Sequence, residues 1–347
     1  MPHTDLHLEG EYIETAESII FAVKGTIHPP HRIVAFPKYI PTPTGSRSKG
    51  KKKYMRIDSL KDSYRFLKEK HPEYLHHDPN FNELLSEVPH TKVIKYYRPQ
   101  QTLRRLTGRK AIHLDEVERD AVDLAILLRE HSNIPQQNIG ISGSVMAGLH
   151  NSNSDIDLII YGSDACHAAY KGLKKLTMDK ASPIKPYNIE GLKRLYRQRR
   201  KDTKIPLKDF LKVERRKILQ GKFRNRDYFI RMLKAPQEVS ETYGDPRYTP
   251  MGFIELTAEV NDDTEAIFTP CIYRIKKVST KKNFDVKKIE EVASFRGRFS
   301  EQAKRGERIF VRGKLEMVTS LRRKYYRVLI GNRPEDYLHP ISSKLAQ

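Results

Sequence analysis

The sequence predicts an α/β (α+β) protein: a central domain with a small mixed sheet and helices, flanked by an N-terminal α+β module and a C-terminal mostly β module. Three observations predict it. Residues 138–161 read as a strand, a glycine-serine turn, a short helix and a second strand. Residues 115–130 repeat apolar side chains at intervals of three and four, and residues 252–331 hold several runs that alternate apolar and polar. A length of 347 residues suits about two to three domains, and shifts in composition place them at 1–105, 106–235 and 236–347.

In the first module, Tyr12–Thr15 and Ile19–Val23 flank a polar turn at Glu17-Ser18 and predict a β-hairpin. A further strand follows over Arg32–Ile40, where Pro37, lacking an N–H, implies an edge or a bulge. Thr42 to Lys53 is a basic, glycine-containing tip expected to be mobile; it suits a grip on a phosphate backbone or a solvated loop equally. Ser59–Lys70 has helical spacing, with Leu60, Tyr64 and Leu67 as its apolar stripe. Pro72, Pro79 and Pro89 then predict that residues 71–105 are irregular or composed of short pieces. No catalytic cluster is visible in this module. The spacing of His28, His31, His71, His76 and His77 matches no standard metal site.

In the central domain, Asp115–Glu130 is predicted as a helix, with Val117, Ala121, Leu124, Ala125 and Leu128 on its apolar face and acidic residues in its first turns. It leads into a strand at Asn138–Ser142. Gly143-Ser144 then opens a short helix whose free backbone N–H groups and positive dipole end suit a phosphate. Further on, Asp155 and Asp157 stand at i and i+2 of a second strand, so their carboxylates share one face while Ile156 and Leu158 point to a core. Paired carboxylates invite a divalent cation. A phosphate cradle beside a metal site is what a nucleotide-using enzyme needs. After the strand, Gly162-Ser163-Asp164 supplies a turn and a cap for a helix over Ala165–Lys175.

Gly143-Ser144, the spacer with Gly148, and Ser154-Asp155-Ile156-Asp157-Leu158 resemble the signature of the polymerase-β-type nucleotidyltransferase superfamily. The wider chain is similar to an archaeal branch of predicted nucleotidyltransferases related to the β-type DNA polymerases, which also carries a segment like Lys24-Gly25-Thr26-Ile27-His28-Pro29-Pro30. The resemblance implies transfer of a nucleoside monophosphate from a nucleoside triphosphate to an acceptor hydroxyl, with an RNA or DNA end as the favoured acceptor and pyrophosphate as the leaving group. It also implies Mg as the cofactor, with Mn as an alternative. Gly143, Ser144, Gly148 and Ser154 would contact the nucleotide, and Asp155 and Asp157 would be the catalytic metal ligands. Two-metal transfer needs a third carboxylate. Asp227, in the predicted strand Arg226–Leu233 where it shares a face with Phe229 and Arg231, is the candidate, and Glu255 and Glu259 are its rivals. Two alternatives stay open: a nucleic-acid-binding protein with a vestigial transferase domain, and a transferase that modifies a protein or small molecule.

Residues 171–235 hold 22 lysines and arginines against six acidic residues, in a chain with a net charge of +22 and a pI near 9.8. Such a charge favours a polyanionic partner, because each neutralised phosphate releases condensed counterions. Basic helices are predicted over Glu190–Lys201 and Pro206–Gln220. In the second, Lys208, Lys212, Arg215 and Arg216 stand away from Leu207, Phe210, Leu211 and Ile218 and are candidates for nucleic-acid contact.

Toward the C-terminus, Gly252–Asn261 and Ala266–Val278 predict a hairpin joined at Asp262-Asp263, and alternating runs over Arg308–Val318 and Tyr325–Gly331 suggest a small barrel. Rings and cations interleave at Phe295, Arg296, Arg298 and Phe299 and again from Arg322 to Tyr326, as base stacking would require, although rings in strands also build cores. Cys166 and Cys271 fit neither a metal spacing nor a disulfide framework and are expected in cores. Nothing near Met1 resembles a signal peptide, no apolar run nears the roughly 20 residues of a membrane span, and mean hydropathy is −0.67. A soluble cytoplasmic protein without a membrane partner is expected, its oligomeric state open.

Overall fold

The computed structural model describes residues 7–200, 204–281 and 285–341, which leaves Met1 and Lys201 outside the described residues. The structure is mixed α+β, and its contacts fall into two compact units. The first comprises Met1–Asp78, Glu83–Lys185 and Ile218–Ser240. The chain on either side of residue 105 therefore lies in one unit.

That unit opens with β1 (Tyr12–Thr15) and β2 (Ile20–Val23), the expected hairpin, followed by β3 (Arg32–Pro41), β4 (Arg47–Lys49) and β5 (Lys52–Arg56). Next come α1 (Leu60–Lys70), capped by Ser59, then β6 (Leu75–Asp78), β7 (Glu83–Pro89) and β8 (Val93–Tyr97). The strands form one sheet in the order β4-β5-β3-β2-β1-β8, with β7 also pairing with β3 and with β6. One expectation needs correcting. The basic tip is the hairpin β4–β5, whose cations find acceptors at Leu149 O, Tyr97 and Ser18. Residues 71–105 are composed of short pieces, as expected, and two of their prolines sit where no ladder N–H is needed: Pro89 ends β7, and Pro99 opens α2 (Pro99–Thr107) at its first turn. The bulge implied by Pro37 is present. Ile20 pairs with Tyr39 and Phe21 with Pro37, so Lys38 is the extra residue.

After α2 the chain forms α3 (Glu116–Ser132), β9 (Ile139–Ile141), α4 (Gly143–Ala147), β10 (Ile156–Tyr161), α5 (Ser163–Met178) and β11 (Ile184–Lys185). It returns to the unit as β12 (Gln220–Phe223) and β13 (Arg226–Leu233). Asp115 and Glu118 close a capping box on α3, which buries Val117, Ala121, Leu124, Ala125 and Leu128, as its spacing predicts. The five strands run β11-β12-β13-β10-β9, with β10 parallel to β13 and antiparallel to β9. Tyr12, Ile20, Tyr39, Tyr54 and Tyr97 of the first sheet form one buried cluster with Met146, Ala147 and Leu149 around α4. The first sheet thus packs on the turn that carries the candidate site.

The second unit comprises Pro79–Asn82, Pro186–Lys217 and Glu241–Gln347. It holds α6 (Ile189–Arg199) and α7 (Leu207–Glu214), so the basic helices group with the C-terminal strands rather than with the central sheet. Helix α7 ends well before Gln220. There Arg216 turns out to bond Gln302 O and Glu307, and the buried Lys217 donates to Arg298 O at 2.6 Å and to Gln302 at 2.8 Å. The strands are β14 (Arg247–Asp262), β15 (Cys271–Ser279), β16 (Ile289–Ser294), β17 (Arg308–Thr319), β18 (Lys324–Leu329) and β19 (Tyr337–Pro340). Strand β15 starts at Cys271 rather than Ala266, just past Pro270, which has no N–H for the ladder. The order β14-β15-β16-β18-β17 closes through β17–β14 pairing, with β16 and β18 parallel and β19 added beside β17. Ile254, Leu256, Val260, Tyr273, Val292, Val311 and Val328 fill the interior. The suggested barrel is present, with β16 and β19 as strands the sequence did not announce. Cys166 and Cys271 are free and buried. Among the described residues no helix is long and apolar enough to cross a membrane.

Leu158 is 1% exposed at the centre of β10. Leu158→Ala is expected to cost about 2–5 kcal/mol, from lost transfer energy plus the cavity left behind, measured by urea unfolding.

Candidate active site

The backbone between β9 and β10 decides the geometry. Gly143 has φ +64°, and a Cβ there would come within 2.0 Å of Asp157 Oδ2, so only glycine serves both the conformation and the approach. Ser142 N donates to Asp157 O at 2.8 Å, and Ser142 Oγ donates to Gly10 O at 2.7 Å, tying the turn to β10 and to the amino-terminal segment. Ser144 is 3% exposed and its Oγ has no hydrogen-bond partner among the described residues. Gly148 ends α4 in the left-handed region, at φ +67°.

Ser154 works locally. Its Oγ accepts from Asn151 N at 2.9 Å and from Arg47 at 3.3 Å, while Arg47 also donates to Leu149 O at 2.5 Å. From the other side, Arg226 donates to Ser152 O at 2.6 Å and Ser154 O at 3.1 Å and pairs with Asp120 at 3.0 Å. Two arginines therefore hold the loop that delivers Asp155 and Asp157.

The pair is half-buried and strained electrostatically. Burial raises the Asp157 carboxyl well above the usual range, the neighbouring charge of Asp155 raises it further, and Arg56, Arg231 and Lys38 pull it partly back. A divalent cation relieves this kind of repulsion. Sequence reasoning missed these cations. Lys38 is the bulged residue of β3, and its Nζ lies 3.3 Å from both Ile57 O and Asp58 Oδ1. Arg56, at the end of β5, donates to Asp58 at 2.5 Å. Pro37 was the one signal, since bulges commonly re-aim a side chain near a site. Arg231, on β13, is held by the buried Glu9. Burial raises Glu9, but Lys24 at 2.7 Å, Arg231 and the Gly25 N–H together hold it below its ordinary value.

Asp227 lies on the β13 face that carries Phe229 and Arg231, and Phe229 is the residue in register with Asp157. Its carboxylate pairs with Lys222 at 2.7 Å. The rivals sit in the second unit on β14, where Glu255 faces Arg312 at 3.3 Å and Glu259 pairs with Lys276 and Lys277. Of the basic candidates on α7, Lys208, Lys212 and Arg215 are exposed, whereas Arg216 is engaged by Glu307 at 2.6 and 2.9 Å. Asp115, Glu118 and His150 also place ligand atoms within 4.8 Å of one another, but the first two cap α3 and His150 bonds Asp115 at 2.7 Å.

Two predictions test this geometry. Gly143→Ala should lower stability by about 1–3 kcal/mol through backbone strain, read by urea unfolding. Lys38 has its pKa lowered to about 8, by burial first and Arg56 second, from an ordinary 10.5. Between those values the unfolded chain binds the proton that the folded chain has released, so stability rises with pH across that window. Thermal melts from pH 7 to 10 should show this rise in the native protein and a weaker one in Lys38→Met.

No family model matches the chain, and no solved structure matches it. Among curated proteins it is 31% identical over 343 residues to "Uncharacterized protein MJ1086" of Methanocaldococcus jannaschii, a match spanning 96% of this chain and 98% of that one.

Proposed function

The chain belongs to the same family as the Methanocaldococcus jannaschii protein MJ1086, and we propose that it is a metal-dependent nucleotidyltransferase. It would move a nucleoside monophosphate from a nucleoside triphosphate to an acceptor hydroxyl, with an RNA or DNA end as the favoured acceptor. The observation that carries the reading is the contact between the Asp157 carboxylate and Gly143, which sets the paired carboxylates against a tight turn holding a buried, unpaired Ser144 hydroxyl.

Mg fits this donor set, because carboxylate oxygens are hard ligands and the repulsion within the pair favours a divalent ion; Mn has similar preferences. Asp155 and Asp157 would hold it, and Asp227 would join them on release from Lys222. The bound ion would polarise the triphosphate and lower the pKa of the acceptor hydroxyl. Ser144 and the N–H groups of its turn would orient the outer phosphates, and Gly143, with no side chain, leaves that approach open. Gly148 and Ser154 would act indirectly, by shaping the turn and its loop. Lys38, Arg56 and Arg231 would offset the triphosphate charge. The acceptor oxygen bonds the α-phosphorus, the bond to the β-phosphate's bridging oxygen breaks, pyrophosphate leaves, and the hydroxyl proton passes to solvent.

A second reading draws on the same cations. Arg56, Arg231 and Lys38 already compensate part of the pair's charge, as a vestigial site in a nucleic-acid-binding protein would allow. Incubation with each labelled triphosphate, Mg or Mn, and RNA, DNA or protein acceptors separates the two. Transfer should fall at least about a hundredfold in Asp155→Asn and Asp157→Asn and vanish with chelator. Absence of turnover with every triphosphate and acceptor favours the vestigial reading.

A further inference from the structure

The inward positions of β14, β17 and β19 are filled by Ile254, Leu256, Ile309, Val311 and Leu338, so Phe253, Phe310, Arg312, Tyr337 and His339 share the outer face. The register aligns them: Arg312 stands between Glu255 and Tyr337, and Phe310 between Thr257 and His339. The rings of Phe310, Tyr337 and His339 lie 5.4 to 6.0 Å apart and are all partly exposed. Arg312 and Arg333 each lie 5.4 Å from the Phe253 ring. Tyr337 also borders a small open hollow whose walls include Tyr196 and Arg200 of the α6 region and Phe210 of α7.

The sequence around this face is net basic. Residues 186–217 carry 12 lysines and arginines against four acidic residues, and residues 241–347 carry 21 against 15. On α7 both Asp209 and Lys212 are close enough to influence His339, and Asp209 also influences Tyr337. The barrel's other outer face is different. Strands in the order β14-β15-β16-β18-β17, with β16 parallel to β18, form the OB-type barrel, which commonly binds across its second and third strands. Here that region is spanned by a row of internal ion pairs, Glu316–Arg327 at 2.8 Å and Arg274–Glu291, with Glu291 and Arg327 in register. The interleaved rings read from the sequence are also committed, since Phe299 is buried in the core and Tyr325 donates to Glu291 at 3.2 Å. The row leaves little charge to offer, whereas the β14–β17–β19 face offers rings beside the exposed Arg333 and Lys212, with Arg312 shared with Glu255 at 3.3 Å.

We propose that the outer face of β14, β17 and β19 binds single-stranded nucleic acid, with Phe310, Tyr337 and His339 stacking on bases and Arg312, Arg333 and Lys212 lying along the phosphodiester backbone. Phe310 and His339 each stack against Tyr337, and their exposed parts can stack only on unstacked bases, which a single strand supplies and a duplex withholds. An acidic protein would satisfy the cations and leave the rings without partners. The inference concerns the barrel alone and does not depend on the transfer reaction.

The test is fluorescence anisotropy with the full chain, without triphosphate or divalent ions, using labelled single-stranded RNA, single-stranded DNA and a duplex of the same sequence. Either single strand should bind at least tenfold tighter than the duplex, with affinity falling steeply as salt rises. Phe310→Ala and Tyr337→Ala should each weaken binding about tenfold or more. Phe310→Tyr should retain it, and the exposed-site change Arg333→Glu should weaken it severalfold even if an alanine variant misfolds by circular dichroism. No binding of either strand, equal binding of the duplex, displacement by polyglutamate as effective as by unlabelled strand, or native affinity in folded Phe310→Ala and Arg333→Glu overturns the proposal.

Discussion

The first unit depends on the approach of the Asp157 carboxylate to the Cα of Gly143. It requires a residue without a Cβ, a backbone at φ +64°, and a strand that stops its sister aspartate one pleat away. The same turn leaves Ser144 with a buried hydroxyl and no partner among the described residues, an arrangement that costs free energy. Two half-buried carboxylates side by side add to that cost. The cations around them reduce it without removing it, so the site has the unresolved electrostatics that a metal and a triphosphate would complete.

Two of those cations come from a sheet that is remote in sequence. Lys38 reaches the site because Pro37 forces a bulge, and Arg56 because the basic hairpin runs back along β3. Arg47 of that hairpin holds the loop before β10, and Arg226 holds it from the other side. Glu9, completely buried, accepts from Lys24, Gly25 and Arg231 and so connects the amino-terminal segment to β13. The amino-terminal module therefore forms part of the site's wall rather than an accessory to it.

In the second unit, arginines divide into two populations. Arg216 and Arg327 are taken up by Glu307 and Glu316, and their charge serves packing. Arg333 borders a ring and stays at the surface, and Arg312 borders the same ring while sharing its charge with the exposed Glu255 at 3.3 Å. Composition counts both alike, which is why net charge points toward a polyanion without saying where it would lie.

The sequence by itself determined the elements whose periodicity is strong and whose chemistry is local. The helix at 116–132, the strands at 156–161 and 226–233, and the pairing of Asp155 with Asp157 follow from side-chain spacing and the pleat. The barrel's longer strands were legible for the same reason. Residues 71–105 were legible only as short pieces and not as strands of a sheet, because prolines at a strand end and at a helix's first turn look in sequence like prolines that break structure. Only the tertiary structure decided which cations stand beside Asp157, and that residues 186–217 join the barrel instead of the central sheet. It also assigned Asp227 to Lys222 and Arg216 to Glu307. Except for Lys222 and Asp227, which face each other across the β12–β13 hairpin, these are choices of partner between distant parts of the chain, made by packing and charge in three dimensions, where spacing along the chain carries no information.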